Sequence, residues 1–166
     1  MNNTKTIFKS LLIMIVAISL FTVSCSKDEG GTKTPTNPKP ITITAENITQ
    51  GINATLKTTK MVFDYQAPSS GNAVELKATA AATTQNDLDV LKTLKITVSG
   101  ATVDAKVTTD KFPEITTNTD IAITITITPT SGNSFAADLK PYTAADGKVT
   151  VKLTLKPQDT KKWNGQ

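Results

Sequence analysis

The chain has 166 residues, 38% of them hydrophobic, and a formal net charge of +4 from 18 basic and 14 acidic side chains. Every basic residue is lysine; arginine and histidine are absent, and there is one cysteine. This excludes a Ser-His-Asp triad, a Cys-His pair and a histidine zinc site, and it removes the forked donor with which nucleic-acid readers grip guanine and phosphate.

At the N-terminus, Lys5 and Lys9 precede the apolar run Leu11 to Val23, broken only by Ser19 and Thr22. A positive segment, a short apolar segment and small residues predict a secretory signal peptide over residues 1–24. The run is short for a membrane-spanning helix, which needs about 20 apolar residues to cross about 30 Å of hydrocarbon. The lone Cys25 has no partner for an internal disulfide and lies outside any plausible core. Its setting, Thr22-Val23-Ser24-Cys25, resembles the lipobox of bacterial lipoproteins of the Bacteroidota type. Ser24 supplies the small residue before the cysteine; Thr22 stands where the motif prefers Leu. The resemblance is confined to the segment ending at Glu29. It implies cleavage before Cys25, acylation there, and a protein held at the membrane by lipid, since two or more acyl chains anchor stably where one is marginal. Ser26, Lys27, Asp28 and Glu29 resemble the lipoprotein export signal of the same bacteria. This implies an outer-membrane protein facing the cell exterior; the alternative is an ordinary polar start to a tether on a periplasm-facing protein.

Residues 25–40 read as a flexible tether. Gly30 to Pro40 mixes glycine, proline, threonine and lysine with no large apolar residue, so it has nothing to bury. Prolyl segments extend by about 3.1 Å per residue, which lifts the following domain some 30 Å from the bilayer. Without Lys5 and Lys9 the chain retains 16 lysines against 14 acids, so the basic character of the precursor is partly that of its leader.

The remainder is one domain, residues 41–157, with a tail at 158–166. Nearly a fifth of all residues are threonine, which suits a half-exposed pleated surface. The dominant pattern is period two. Ile41–Thr44, Ala54–Thr58 and Met61–Tyr65 are weak strand candidates. Val74, Leu76, Ala78 and Ala80 alternate with polar residues, as do Leu94, Ile96 and Val98. Thr102–Thr108 is another weak candidate. Ile121, Ile123, Ile125 and Ile127 then share one face, with Ala122, Thr124, Thr126 and Thr128 on the other. Val149, Val151, Leu153 and Leu155 repeat the pattern. Turns are expected at Ala67–Asn72, Ser99-Gly100, Pro129–Asn133 and Asp146-Gly147. With no convincing amphipathic helix, about eight strands predict an all-β fold, a single antiparallel β-sandwich of immunoglobulin-like architecture. Asn86 to Leu91 reads equally as a helical turn or a strand start.

Candidate sites are few. Asn86, Asp87 and Asp89 carry oxygens but lack the glycine of a calcium loop, so a polar turn is the simpler reading. Asp104, Asp110 and Glu114 show no spacing that pairs them as glycosidase acids. Tyr142, after Pro141, and Trp163, in a lysine-rich tail, are the aromatics best placed to be exposed as ligand platforms; for Trp163 the competing expectation is a plug folded onto the core. The Thr124-Thr126-Thr128 ladder resembles the arrays of ice-binding β-proteins, but those repeat on neighbouring strands, and only one good copy is legible. No catalytic residues, metal site or cofactor are expected. The leading expectation is a non-enzymatic, lipid-anchored surface protein that binds or scaffolds a glycan or protein partner. The alternatives are a structural subunit of an adhesin-like or fimbria-like assembly and a periplasm-facing accessory of an uptake complex. The membrane is contacted through the lipid, and no nucleic acid is expected.

Overall fold

The computed structural model describes residues 39–159 and 161–166. The expected signal peptide, Cys25, the Ser26–Glu29 export signal and the tether up to residue 38 lie outside the described residues. The chain divides into two units, Met1–Asn37 and Pro38–Gln166, and all described residues belong to the second.

In chain order the elements are β1 (Thr42–Ile43), α1 (Ala45–Lys57), β2 (Ala73–Lys77), α2 (Gln85–Asp89), a 3-10 turn (Val90–Thr93), β3 (Ala101–Val107), β4 (Ile121–Pro129), β5 (Ser134–Phe135), β6 (Ala144–Ala145) and β7 (Lys148–Lys156). The fold is β-rich. Its main sheet runs β2-β7-β4-β3, with β6 pairing the start of β7. β3 and β4, β4 and β7, and β6 and β7 are antiparallel. The alternating isoleucines explain why β4 is central: Ile121, Ile123, Ile125 and Ile127 are at most 1% exposed, as are Val149, Val151, Leu153 and Leu155 on β7. Ile125 stands opposite Val151 on one side and Ala105 on the other. The Asp146-Gly147 turn closes the β6–β7 hairpin, with both residues at positive φ, 51° and 70°. This is the conformation a two-residue loop needs to match the strand twist.

Three expectations are corrected. First, the sheet is mixed: β2 runs parallel to β7, and the separate pair β1–β5 is also parallel. Second, the segment holding the weak strand candidate Ala54–Thr58 is helical. α1 starts at Thr44, whose side chain accepts from Asn47 N while the Asn47 side chain accepts from Thr44 N, a reciprocal cap. Ile48, Ile52 and Leu56, spaced at four, form its buried stripe. Third, Met61–Tyr65 and Leu94–Val98 join no ladder, and Val62 breaks the first of them with a φ of 46°. Their alternation still orients them: Met61, Phe63 and Tyr65 are buried, as are Ile96 and Val98. Met61 O accepts from Thr79 N at 3.0 Å and Ala80 N at 2.9 Å, so this backbone is satisfied by the loop after β2.

One core results. The inward side chains of β4 and β7 share a hydrophobic cluster with the α1 stripe, Phe63, Leu88, Leu91, Val98 and Trp163. The apolar face of the sheet is thus closed by a helix, a short helical segment and loops. Gly51 lets α1 approach one of those loops: a Cβ there would sit 2.4 Å from Thr97 O. The residues expected as a tail are part of this body. Trp163 N donates to Thr117 O at 3.0 Å, Asn164 N to Ile115 O at 2.8 Å, and Trp163 O accepts from Ala82 N at 2.8 Å.

Candidate functional site: the open face of the sheet

Because side chains alternate across a strand, burying the isoleucines of β4 turns its threonines outward. The neighbouring strands add to them. Thr126 stands between Asp104 of β3 and Thr150 of β7; Thr124 stands between Lys106 and Lys152; Thr128 faces Thr102. Thr154 lies between Ala122 and Glu75. The ladder legible on one strand is therefore a two-dimensional field of hydroxyls, interrupted by Asp104, Lys106 and Lys152. Strand geometry spaces such groups about 4.8 Å apart across the sheet and about 7 Å along a strand. Each hydroxyl both donates and accepts, so the face offers a polar lattice to another surface.

The charges on this face are mostly paired. Lys106 Nζ lies 2.9 Å from Asp104 Oδ2, and Lys156 Nζ lies 2.7 Å from Glu75 Oε2 and 3.7 Å from Asp120 Oδ2. The hydrogen bond to Asp104 raises the Lys106 pKa, and that to Glu75 raises the Lys156 pKa. Exposed pairs of this kind contribute little to stability; their effect is to set the pattern of charge.

A second feature is an open cleft of about 480 Å³ at the C-terminal end of α1, lined by Thr55, Thr58, Thr59, Asp87, Val90 and Lys95 among others. Asp87 helps to build its wall. Its Oδ2 accepts from Thr83 Oγ1 at 2.5 Å and from the backbone N–H groups of Thr83 and Thr84, each at 2.9 Å. These bonds hold its pKa at about 2, with the Thr83 hydroxyl the main cause. Asp89 accepts from Gln85 Nε2 at 2.9 Å and pairs with Lys92 at 3.0 Å. The carboxylates of Asp87 and Asp89 are thus engaged at the start and end of α2. Among the described residues no group of three His, Cys, Asp or Glu side chains is placed to hold a metal.

The platform expectation is corrected for Tyr142, and Trp163 takes the plug alternative: both are interior. Tyr142 is 3% exposed and Trp163 1%, so neither offers a ring face to a ligand. Trp163 meets Phe63 edge-on at 6.4 Å and donates its indole N–H to Thr119 O at 2.9 Å, the plug arrangement. Tyr142 belongs to a buried chain of hydroxyls. Thr49 Oγ1 donates to Ala45 O at 2.9 Å, so at 2.8 Å it accepts from Tyr142 OH. Tyr142 OH in turn accepts from Tyr65 OH at 2.9 Å. Burial, the leading cause for each, raises both tyrosine pKa values. The sequence carried no sign of this chain, since Thr49, Tyr65 and Tyr142 are far apart and only the fold joins them.

Compared with known proteins, the chain matches no family model, no curated protein and no solved structure.

Proposed function

We propose that this chain is a lipid-anchored surface lipoprotein of the Bacteroidota type whose folded body is a non-enzymatic binding or scaffolding domain. Acylated Cys25 fixes it to the outer membrane, Ser26 to Glu29 direct it to the exterior, and residues 25–40 serve as its tether. The observation that carries the binding role is the hydroxyl field on the open face of the main sheet, built from Thr102, Thr124, Thr126, Thr128, Thr150 and Thr154. With Tyr142 and Trp163 interior, the face suits hydrogen bonding to a polar surface better than stacking against sugar rings. For its architecture we propose a sandwich only in the sense that the apolar face of the main sheet is covered by α1 and loops around one core.

The alternative reading, a structural subunit of a surface assembly, is favoured by one specific feature, the unpaired outer edge of β3. Exposure at the cell surface is tested by protease treatment of intact cells. The wild-type chain should be cut, whereas a Lys27→Ala, Asp28→Ala, Glu29→Ala triple variant should be protected with its lipid still attached. Equal cleavage of the two would leave those three residues as a mere tether start.

A further inference from the structure

β3 ends the main sheet, because it pairs with β4 and with no other strand. The bonds that flank its ladder fix which groups point which way. Thr108 N donates to Ala122 O at 2.8 Å, and Gly100 O accepts from Thr130 N at 2.9 Å. In an antiparallel pair the residues exchanging bonds alternate, so the even positions of β3 bond to β4 and the odd positions turn outward. The N–H and C=O groups of Val103, Ala105 and Val107 therefore face away from the sheet, with no hydrogen-bond partner among the described residues. The side chains of the same three residues lie on the core side and are only partly buried. The edge is seven residues long. It has no proline and no inward-pointing charge, two of the devices by which natural edges are blunted.

The residues along this edge read Thr102-Val103-Asp104-Ala105-Lys106-Val107-Thr108. Read in reverse they are the same, except that Asp and Lys exchange. We infer that β3 is a self-complementary edge, and that a second copy of this chain pairs with it antiparallel about a two-fold axis at Ala105. In that register Ala105 faces Ala105, Val103 faces Val107, Thr102 faces Thr108, and Asp104 faces Lys106 on both sides of the axis. Four charges then alternate in sign on the open face, where Asp104 and Lys106 already pair within one chain at 2.9 Å. On the core side the partner's Val107, Ala105 and Val103 extend the row of half-covered apolar side chains. The charges also fix the register. Hydrogen bonding requires odd residues opposite odd residues. A shift one step in one direction sets Asp104 against Asp104, and one step in the other sets Lys106 against Lys106. Like charges directly opposite are destabilising, and opposite charges are favourable. An edge lysine that would repel a random strand is thus matched against this one. The result is an isologous dimer in which two main sheets become one and two polar faces form one surface. The pairing requires only the folded body and is independent of lipid attachment.

The test is sedimentation velocity on the full chain in detergent, with Cys25→Ser run in parallel so that association through lipid is separated from association through β3. The expected result is a dimer at micromolar concentration in both. Lys106→Asp or Asp104→Lys alone should raise the dissociation constant by about tenfold or more, because each sets like charges together at two symmetric places. Mixing the two single variants should restore a dimer, as should the double variant carrying Asp104→Lys and Lys106→Asp. Ala105→Pro removes an outward N–H that β4 does not use, which an edge strand tolerates; it should abolish the dimer while the circular dichroism spectrum of the fold is kept. A monomer throughout the micromolar range, or a dimer indifferent to both charge reversals and to Ala105→Pro, would overturn the inference. The first outcome would leave the edge to a different protein's strand.

Discussion

The side chains that most constrain this molecule chemically are its two tyrosines, the only ones in the chain. Tyr65 donates to Tyr142, which donates to Thr49, which donates to Ala45 O. The chain has a direction, so its members are not equivalent. Tyr142→Phe strands the buried Tyr65 hydroxyl without an acceptor, a loss of about 1–3 kcal/mol, whereas Tyr65→Phe leaves every remaining proton placed and should cost nearer 1 kcal/mol. Urea melts of the two variants check the order. Both tyrosine pKa values are raised in the fold. A raised pKa favours the protonated form in the folded state, so the stabilisation is complete below the ordinary value near 10 and is lost as pH rises beyond it. In an alkaline titration tyrosinate absorbance should stay flat past pH 10 and then appear in one step together with loss of the fold. Two independent titrations near pH 10 would contradict the buried chain. Asp87 acts at the opposite end of the scale. Its pKa is held at about 2, so its contribution is full at neutral pH and is lost as the medium falls from about pH 4 through 2. Asp87→Asn should flatten that part of the acid stability profile.

At the scale of elements, the period-two reading located β4 and β7 and their inward faces residue for residue, because each sets large β-branched or leucine side chains against threonine and lysine. It located the burial of Met61, Phe63, Tyr65, Ile96 and Val98 too, but not their pairing. Alternation reports which side of an extended chain is covered; it does not report whether a neighbour supplies hydrogen bonds. The helix α1 was illegible for a different reason. Asn47, Thr49, Gly51, Asn53 and Thr55 are all poor helix formers, and only Ile48, Ile52 and Leu56 with the Thr44–Asn47 cap mark it. Tertiary burial of that stripe overrides the propensity. Gly51 should accordingly resist improvement. Alanine gains roughly 1 kcal/mol of helix propensity, yet its Cβ would lie 2.4 Å from the Thr97 carbonyl, and such overpacking costs about 1–3 kcal/mol. Gly51→Ala should therefore lower the urea midpoint; a raised midpoint would mean that α1 stands off from residues 95–98. In β4, Ile125→Ala should cost about 2–5 kcal/mol, and Thr126→Ala, one residue along on the open face, less than about 1 kcal/mol. If Thr126→Ala were the more damaging, the faces of the sheet would be exchanged.

At the scale of the whole molecule, the polar field on the sheet emerged from contributions that are individually ordinary. Thr124, Thr126 and Thr128 were visible as a ladder; Thr102 and Thr150 joined them only through the antiparallel registers of β3 and β7, which depend on strand order. The same limit applies to Trp163, which read as either a platform or a plug until its position against Phe63 decided. The proposed placement of this body at a membrane rests on the N-terminal sequence and above all on Cys25. The most direct measurement is labelling of cells with a palmitate analogue, comparing the wild-type chain with Cys25→Ala. The account predicts that the wild type is labelled and sediments with membranes, and that Cys25→Ala loses the label and is recovered soluble or unprocessed. Equal labelling and equal membrane recovery of the two would contradict it.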